Sequence, residues 1–168
     1  MTDRRLEEAL RHLHPAPGVK LWHGGVSVLG ALRGVAPEVA AWRPYPDRHS
    51  IWDLALHVAY WNYAVRRRLT DEPTGTFPRS PANWPALPKD RTARAWKADR
   101  QLVKESHDSL VEAVRDFDSA RLDEVAGGDG ATTYADLITG IVLHDTYHAG
   151  QIQMLKRLDR SRRSRVKS

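Results

Sequence analysis

The C-terminal part of the chain contains the pattern that constrains the fold most. Between Leu137 and Leu155, apolar residues recur at three- and four-residue spacings, the period of a helix with one face turned inward. His144 and His148 continue the same inward row. The sequence therefore predicts a long amphipathic helix that carries two histidines toward the core.

These two histidines are candidate metal ligands because they lie one helical turn apart. Residues four apart on a helix have Cβ atoms about 5–6 Å from each other, so two imidazoles can bind one ion at about 2.0–2.1 Å. A buried imidazole without a partner is unfavourable, and a shared ion would satisfy both rings at once. The alternative is a pair of histidines that are hydrogen-bonded within the core.

A second helix with an inward histidine is predicted to begin after Ser50. Ser50 and Asp53 match a loose capping pattern, which marks a helix start. One face of this helix collects Leu54, His57, Val58, Trp61 and Val65. His57 would complete a set of three histidines, the protein ligand set of an open metal site that keeps a position for water or substrate.

Further residues are candidates for contacting the ligands or lining a pocket. Asp145 lies about 100° around the helix from His144, so helix packing is the alternative to a role as general base. His23 stands beside a glycine pair, where an ordinary loop or cap role is the alternative. The complete set of these candidates is Asp145, Trp61, His23 and Gln151. Four other histidines have no comparable placement: His12, His14, His49 and His107. Of these, His107 is expected at the surface of a charged helix.

The rest of the chain predicts an all-α fold. Helical periodicity is found at about 3–14, from about 25 to 35 and at 92–117. Residues 37–47 and the proline-rich residues 70–88 are predicted to be loops, and the aromatics of the second loop should cover the core. The expected architecture is an antiparallel four-helix bundle with a long crossing loop and a short additional N-terminal helix, in one domain spanning 1–158.

Composition narrows the chemistry and the expected partners. The chain contains no cysteine, so a metal site must use nitrogen and oxygen ligands, and any thiol must come from outside. The net charge of +5 originates at the end of the chain, where residues 156–168 hold seven basic residues against one acidic residue. Residues 159–168 are predicted to be a disordered basic tail, and nucleic-acid binding by the body is not expected. Because a membrane-length apolar run and a signal-peptide run are both missing, a cytoplasmic protein is expected.

Two motifs resemble the signature helices of the DinB/YfiT-like superfamily. They are HSIWDLALHVAYWN at 49–62 and LHDTYHAGQI at 143–152, and the second, with its Gly-Gln-Ile ending, is the more specific. The similarity extends from about residue 22 to residue 158. The resemblance implies a four-helix bundle, often dimeric, in which three histidines bind a divalent metal such as zinc or nickel. By position these histidines are His57, His144 and His148.

The resemblance also implies a range of activities. Members of the superfamily include transferases that use low-molecular-weight thiols such as bacillithiol, a mycothiol-dependent isomerase, and proposed metal-dependent hydrolases. The expected function is transfer of a low-molecular-weight thiol to an electrophilic small molecule, because an open metal site favours a thiolate. Metal-dependent hydrolysis is the alternative, weakened because neither motif helix has an acidic residue in its metal-facing row. A non-catalytic metal-binding or nucleic-acid-associated stress protein is the alternative from another class.

Overall fold

The computed structural model describes residues 3–16, 18–19, 25–72, 75–127 and 130–165. These residues contain no β-strand, which confirms the all-α prediction. Their helices are α1 (Arg4–Leu13), α2 (Val28–Ala31), α3 (Pro37–Ala41), α4 (Ile51–Leu69), α5 (Ala93–Arg115) and α6 (Tyr134–Arg165), with a short 3₁₀ helix at Ser119–Arg121. None of the described helices combines the length and the hydropathy that a membrane crossing requires.

The long helices α4, α5 and α6 form the body of the bundle, and the shorter helices complete it. Helix α4 packs against both α5 and α6, α1 packs against α5 and α6, and α2 packs against α6. The starts of α4 and α5 share one core cluster with the later turns of α6, and the ends of α4 and α5 share a second cluster with α1 and the start of α6. Helix α6 is therefore antiparallel to α4 and α5, and the crossing loop returns the chain along the bundle between them.

Helix α4 begins at a strong capping site. The Ser50 side chain accepts a hydrogen bond from the Asp53 backbone N–H, and the Asp53 carboxylate accepts one from the Ser50 backbone N–H. Arg43 forms an ion pair with the same carboxylate at 2.8 Å. A single such cap contributes about 1 kcal/mol. The reciprocal cap fixes the first turn of α4, and with it the direction in which His57 projects two turns later.

The crossing loop is tied to the bundle through one buried carboxylate. Asp99 of α5 is fully buried, and its Oδ1 accepts hydrogen bonds from Arg79 Nε and Nη2 at 2.9 and 2.6 Å. Its Oδ2 accepts a hydrogen bond from the Trp52 indole N–H at 2.8 Å. Phe77 is buried and packs edge-on against Tyr60 at 5.6 Å. The described part of the loop is thus an ordered cover of the core, as the sequence predicted.

Two segments differ from their predicted local structure. The helix expected from about residue 25 is only α2, because the Ser27 hydroxyl caps it at Gly30 and the chain turns away by Gly34, whose φ is 70°. Residues 37–47 are not wholly a loop, because Pro37 starts α3. The backbone N–H groups in the first turn of a helix have no partner within the helix, so a proline, which has no N–H, loses nothing there. Proline can therefore begin a helix as well as end one.

The expectation of a disordered tail from residue 159 is corrected over residues 159–165. Helix α6 continues to Arg165, and Asp159 is buried. Its carboxylate forms ion pairs with Arg162 and Arg163, both at 2.7 Å, at the spacing at which helical side chains meet. Arg162 and Arg163 therefore stabilise the last turns of α6 through ion pairs with Asp159, which the net charge of the tail does not reveal.

The prediction that His107 lies at the surface is wrong. His107 is 3% exposed, because α1 packs across this part of α5 and the imidazole hydrogen-bonds the Leu13 backbone. The charged residues of α5 indicate which face meets solvent, but they do not reveal that α1 covers another part of the helix.

Candidate metal centre

Three histidines converge between α4 and α6. His57 comes from the middle of α4, and His144 and His148 come from successive turns of α6. One nitrogen from each ring lies within 4.8 Å of one nitrogen from each of the others. The structure therefore brings together the set that the sequence predicted, and this group could hold a divalent metal ion.

Hydrogen bonds on the outer sides of two rings decide which nitrogens face inward. His57 Nδ1 lies 2.7 Å from the Asn83 carbonyl oxygen, and His148 Nδ1 lies 2.7 Å from the Gln151 side-chain oxygen. Both partners are acceptors, so each Nδ1 carries the proton and donates. Each Nε2 then keeps its lone pair for a ligand, the arrangement found in histidines that bind metals.

The spacing of the inward nitrogens fits a shared ion. His144 Nδ1 lies 3.4 Å from the Asp145 carboxylate, which favours the proton on Nδ1 and leaves the lone pair on Nε2. His144 Nε2 and His57 Nε2 are 3.1 Å apart. Two lone pairs at this distance repel each other unless a proton or a cation lies between them. Two imidazole nitrogens on one tetrahedral ion at about 2.0–2.1 Å are about 3.3 Å apart, so the observed spacing suits a metal.

Burial keeps two of the rings neutral and ready to bind. His57 and His148 are each 6% exposed. Burial lowers the pKa of each imidazole to about 4, more than their hydrogen bonds to Asn83 and Gln151 raise it, and the neighbouring histidines lower it further. A metal ion competes with protons for the same lone pair. Ligands with a lowered pKa therefore stay available well below neutral pH.

A family model described as the DinB superfamily matches residues 26–152, most of the chain. The chain belongs to the DinB superfamily. No curated protein and no solved structure matches it. The matched segment of this DinB chain includes all three converging histidines, and membership together with that cluster is compatible with a metal-binding enzyme.

Three residues that the sequence did not single out for the site, His49, Asn83 and Trp84, contribute to the DinB centre. The rings of His49, Trp84 and His57 form a continuous stack, with Trp84 centred 3.7 Å from His49 and 3.8 Å from His57. Asn83 contributes its carbonyl to His57 and its side-chain oxygen to the Trp61 indole N–H at 2.8 Å. Asn83 and Trp84 belong to the crossing loop, whose path follows no period. The sequence feature that could have indicated them is an aromatic residue within a proline-rich loop, where helix formation is excluded.

The remaining candidates are distributed on different sides of the DinB centre. Gln151 contacts His148, and Trp61 lies edge-on to the rings of His57 and His144, at 6.5 and 6.1 Å. Asp145 is buried behind His144. His23 lies outside the described residues.

Proposed function

We propose that this protein is a metal-dependent enzyme that transfers a low-molecular-weight thiol to an electrophilic small molecule. The observation that carries the proposal is the convergence of His57, His144 and His148, a group that contains no carboxylate among the described residues. Imidazole ligands suit zinc and nickel, and three protein ligands leave a position open for substrate. The chain has no cysteine that could compete for the metal or the electrophile.

The residues around the histidines have separate roles in this proposal. His57, His144 and His148 would hold the ion, whose Lewis acidity favours the anionic form of a thiol or of water. Asn83 and Gln151 orient two of the rings through their Nδ1 protons. Trp84 covers one face of His57 and so limits the access of water from that side.

His49 is the residue that we propose as the final acceptor of the thiol proton. It is exposed, and it forms the outer ring of the stack on Trp84. In the proposed reaction the thiol proton passes through solvent water to a ring nitrogen of His49, because Trp84 lies between His49 and His57. The sulfur forms a bond to the electrophilic carbon, and the leaving group departs with the electron pair of the bond that breaks.

Hydrolysis is the second candidate function, and the exposed position of His49 is the observation that favours it. A hydrolase needs a general base beside the attacking water. Asp145 is a poor base for this purpose because it is 5% exposed and lies on the Nδ1 side of His144, away from the inward nitrogens. His49 could take the proton from water as it would from a thiol.

The experiment that separates these functions uses two parallel assays. Metal-loaded protein and its His57→Ala variant are incubated with a panel of low-molecular-weight thiols and a generic electrophile, and separately with esters and amides. His14→Ala, which removes an exposed histidine outside the cluster, serves as the matched control. Thiol consumption that depends on His57 supports the transferase. Equal thiol consumption by protein and variant, beside hydrolysis that only the intact cluster performs, would replace the proposal with the hydrolase.

Nucleic-acid binding receives little support from the basic end of α6. Arg162 and Arg163 are paired with Asp159, and Arg163 also approaches Glu38 at 4.0 Å. These pairs reduce the positive charge that a phosphate backbone would meet.

We also propose that two copies of the chain associate through the outer face of α6. This face exposes large apolar side chains at Leu143, Tyr147 and Met154, while Gly150 between them leaves open space around its Cα. In an antiparallel pair of α6 helices, Leu143 would face Met154 of the second copy, and Tyr147 would face Gly150. The pattern is thus complementary to itself, as a two-fold interface requires.

The position of this face relative to the histidines agrees with the same pairing. The Tyr147 ring is 5.1 Å from the His148 ring, so the interface would border the metal centre. A second copy would therefore shield one side of the site from solvent.

A further inference from the structure

A small, partly enclosed cavity lies on the far side of His144 from the three inward nitrogens. Residues of α1, α5 and α6 line it, together with residues 26–28, and its volume is about 10 Å³. This is room for about one water molecule. The polar residues on its wall include Ser27, His107, Asp145 and Thr146.

His107 presents an acceptor to this cavity. The imidazole is 3% exposed and hydrogen-bonds the Leu13 backbone, while its Nδ1 has no partner in the described part of the chain. Because Nδ1 has no partner, we assign the contact with Leu13 to Nε2, whose N–H can donate to the backbone carbonyl oxygen. Burial lowers the pKa of this imidazole, which keeps the ring neutral. A neutral ring protonated on Nε2 has a lone pair on Nδ1.

Asp145 presents a second acceptor to the same cavity. Its Oδ1 is 3.4 Å from His144 Nδ1, whereas its Oδ2 is buried and, across the described residues, has no hydrogen-bond partner. Two buried acceptors that share one cavity cannot satisfy each other, because neither has a hydrogen to donate. A molecule with two donors is needed between them.

We propose that one internal water donates to both His107 Nδ1 and Asp145 Oδ2, and that His107 is thereby a positioning residue for the metal ligand His144. Water has two hydrogens for the two acceptors, and internal waters form about three hydrogen bonds. Ser27 can supply the third. Its oxygen already accepts from the Gly30 backbone N–H, so its own hydrogen is free to donate to the water.

The consequence is a line of contacts from α5 to the metal centre. His107 fixes the water, the water fixes the carboxylate of Asp145, and the carboxylate holds His144 with its proton on Nδ1 and its lone pair inward. This inference rests on the proposed metal site but not on the reaction proposed for it. Removing an outer partner of a metal-binding histidine lowers metal affinity by about 10–100-fold.

The first test examines metal-free protein, so it does not depend on activity. A high-resolution crystal structure should show an ordered water within hydrogen-bond distance of His107 Nδ1 and Asp145 Oδ2. Nitrogen-15 NMR of the imidazoles should show His107 neutral and protonated on Nε2. A dry cavity in a map that resolves other internal waters, or a His107 ring protonated on Nδ1, would overturn the proposal.

The second test measures the affinity for Zn²⁺ and the visible spectrum of the Co²⁺ form, which reports the geometry of the ligands. His107→Leu should bind metal about tenfold more weakly and shift the spectrum, because the carboxylate loses its anchor. His107→Asn keeps an acceptor near the position of Nδ1 and should recover most of the affinity. Ser106→Ala, a buried neighbour on α5, is the matched control for helix packing.

The pattern across these variants separates positioning from packing. Equal losses of affinity in all three would mean that α5 packing alone matters and would contradict the inference. Wild-type affinity and spectrum in His107→Leu would contradict it as well. If the water is found but no thiol is consumed, the reaction proposed above fails and the positioning role stands.

Discussion

Replacing Arg79 by methionine is expected to destabilise the bundle and to weaken the metal centre at the same time. Arg79 provides the only cation that contacts Asp99 in the described structure, and the Asp99 side chain is 0% exposed. Removing one partner of a buried ion pair costs about 3–5 kcal/mol, because the other charge remains buried. Arg79 itself is 36% exposed, so water can partly replace it, and we expect the lower end of that range.

The metal centre should respond because Arg79 anchors the loop that carries Asn83 and Trp84. Without the anchor, the Asn83 carbonyl is held less firmly against His57 Nδ1, and metal affinity should fall by about tenfold. A loss of about 3 kcal/mol corresponds to a decrease in Tm of about 6–12 °C for a chain of this size. Thermal unfolding monitored by circular dichroism measures the first effect, and titration with Zn²⁺ measures the second.

A double variant distinguishes buried charge from lost anchoring. Arg79→Met combined with Asp99→Asn removes the charge while keeping an acceptor for the Trp52 indole, so stability should largely return. Metal affinity should not return, because the loop remains unanchored. Arg91→Met, an exposed arginine in the same connecting segment, is the control. Unchanged Tm and metal affinity in Arg79→Met, or no recovery of Tm in the double variant, would refute this reasoning.

Three further predictions address the metal, the pH dependence and the oligomeric state. Purified protein should bind about one divalent metal per chain, and His144→Ala or His148→Ala should release it; elemental analysis that shows full occupancy in both variants would exclude the three histidines as the ligands. Chelation should leave the helical circular dichroism largely intact, because a chain of this length buries a sufficient core without the metal. In the metal-free protein, His57 and His148 have a pKa of about 4 against 6.5 unfolded, so the unfolded state binds more protons between these values and stability falls as the pH drops below 6.5. The loss should reach about 2 kcal/mol per histidine by pH 5, and urea midpoints that are equal at pH 7.5 and 5 would contradict it. Sedimentation should show a dimer that Met154→Glu dissociates, whereas a wild-type monomer at micromolar concentration would rule the interface out.

The sequence revealed the parts of the structure that a helical period controls. The spacing of apolar residues and histidines predicted the course of α6 and placed His57, His144 and His148 on inward faces. Convergence of their nitrogens followed because α4 and α6 pack against each other. Local signals at the start of α4 were equally informative, since Ser50 and Asp53 form the predicted cap.

The sequence did not reveal features that depend on how separate elements meet. His107 was placed at the surface because its own helix is charged, and only the position of α1 buries it. His49 and Trp84 join the centre through a stack between a helix start and an irregular loop. Asp159 extends α6 through pairs with its own neighbours, which a net charge for the tail conceals.

The fluorescence of Trp84 should report on the metal centre, because its ring stacks on the ring of His57. An indole that lies 3.8 Å from the ring of a candidate ligand will emit according to what that ligand binds. A paramagnetic ion such as Ni²⁺ at His57 should quench Trp84 and the neighbouring Trp61, while tryptophans farther from the site continue to emit. The difference in emission between the protein and Trp84→Phe would then follow occupancy of the site directly, without any knowledge of its substrate.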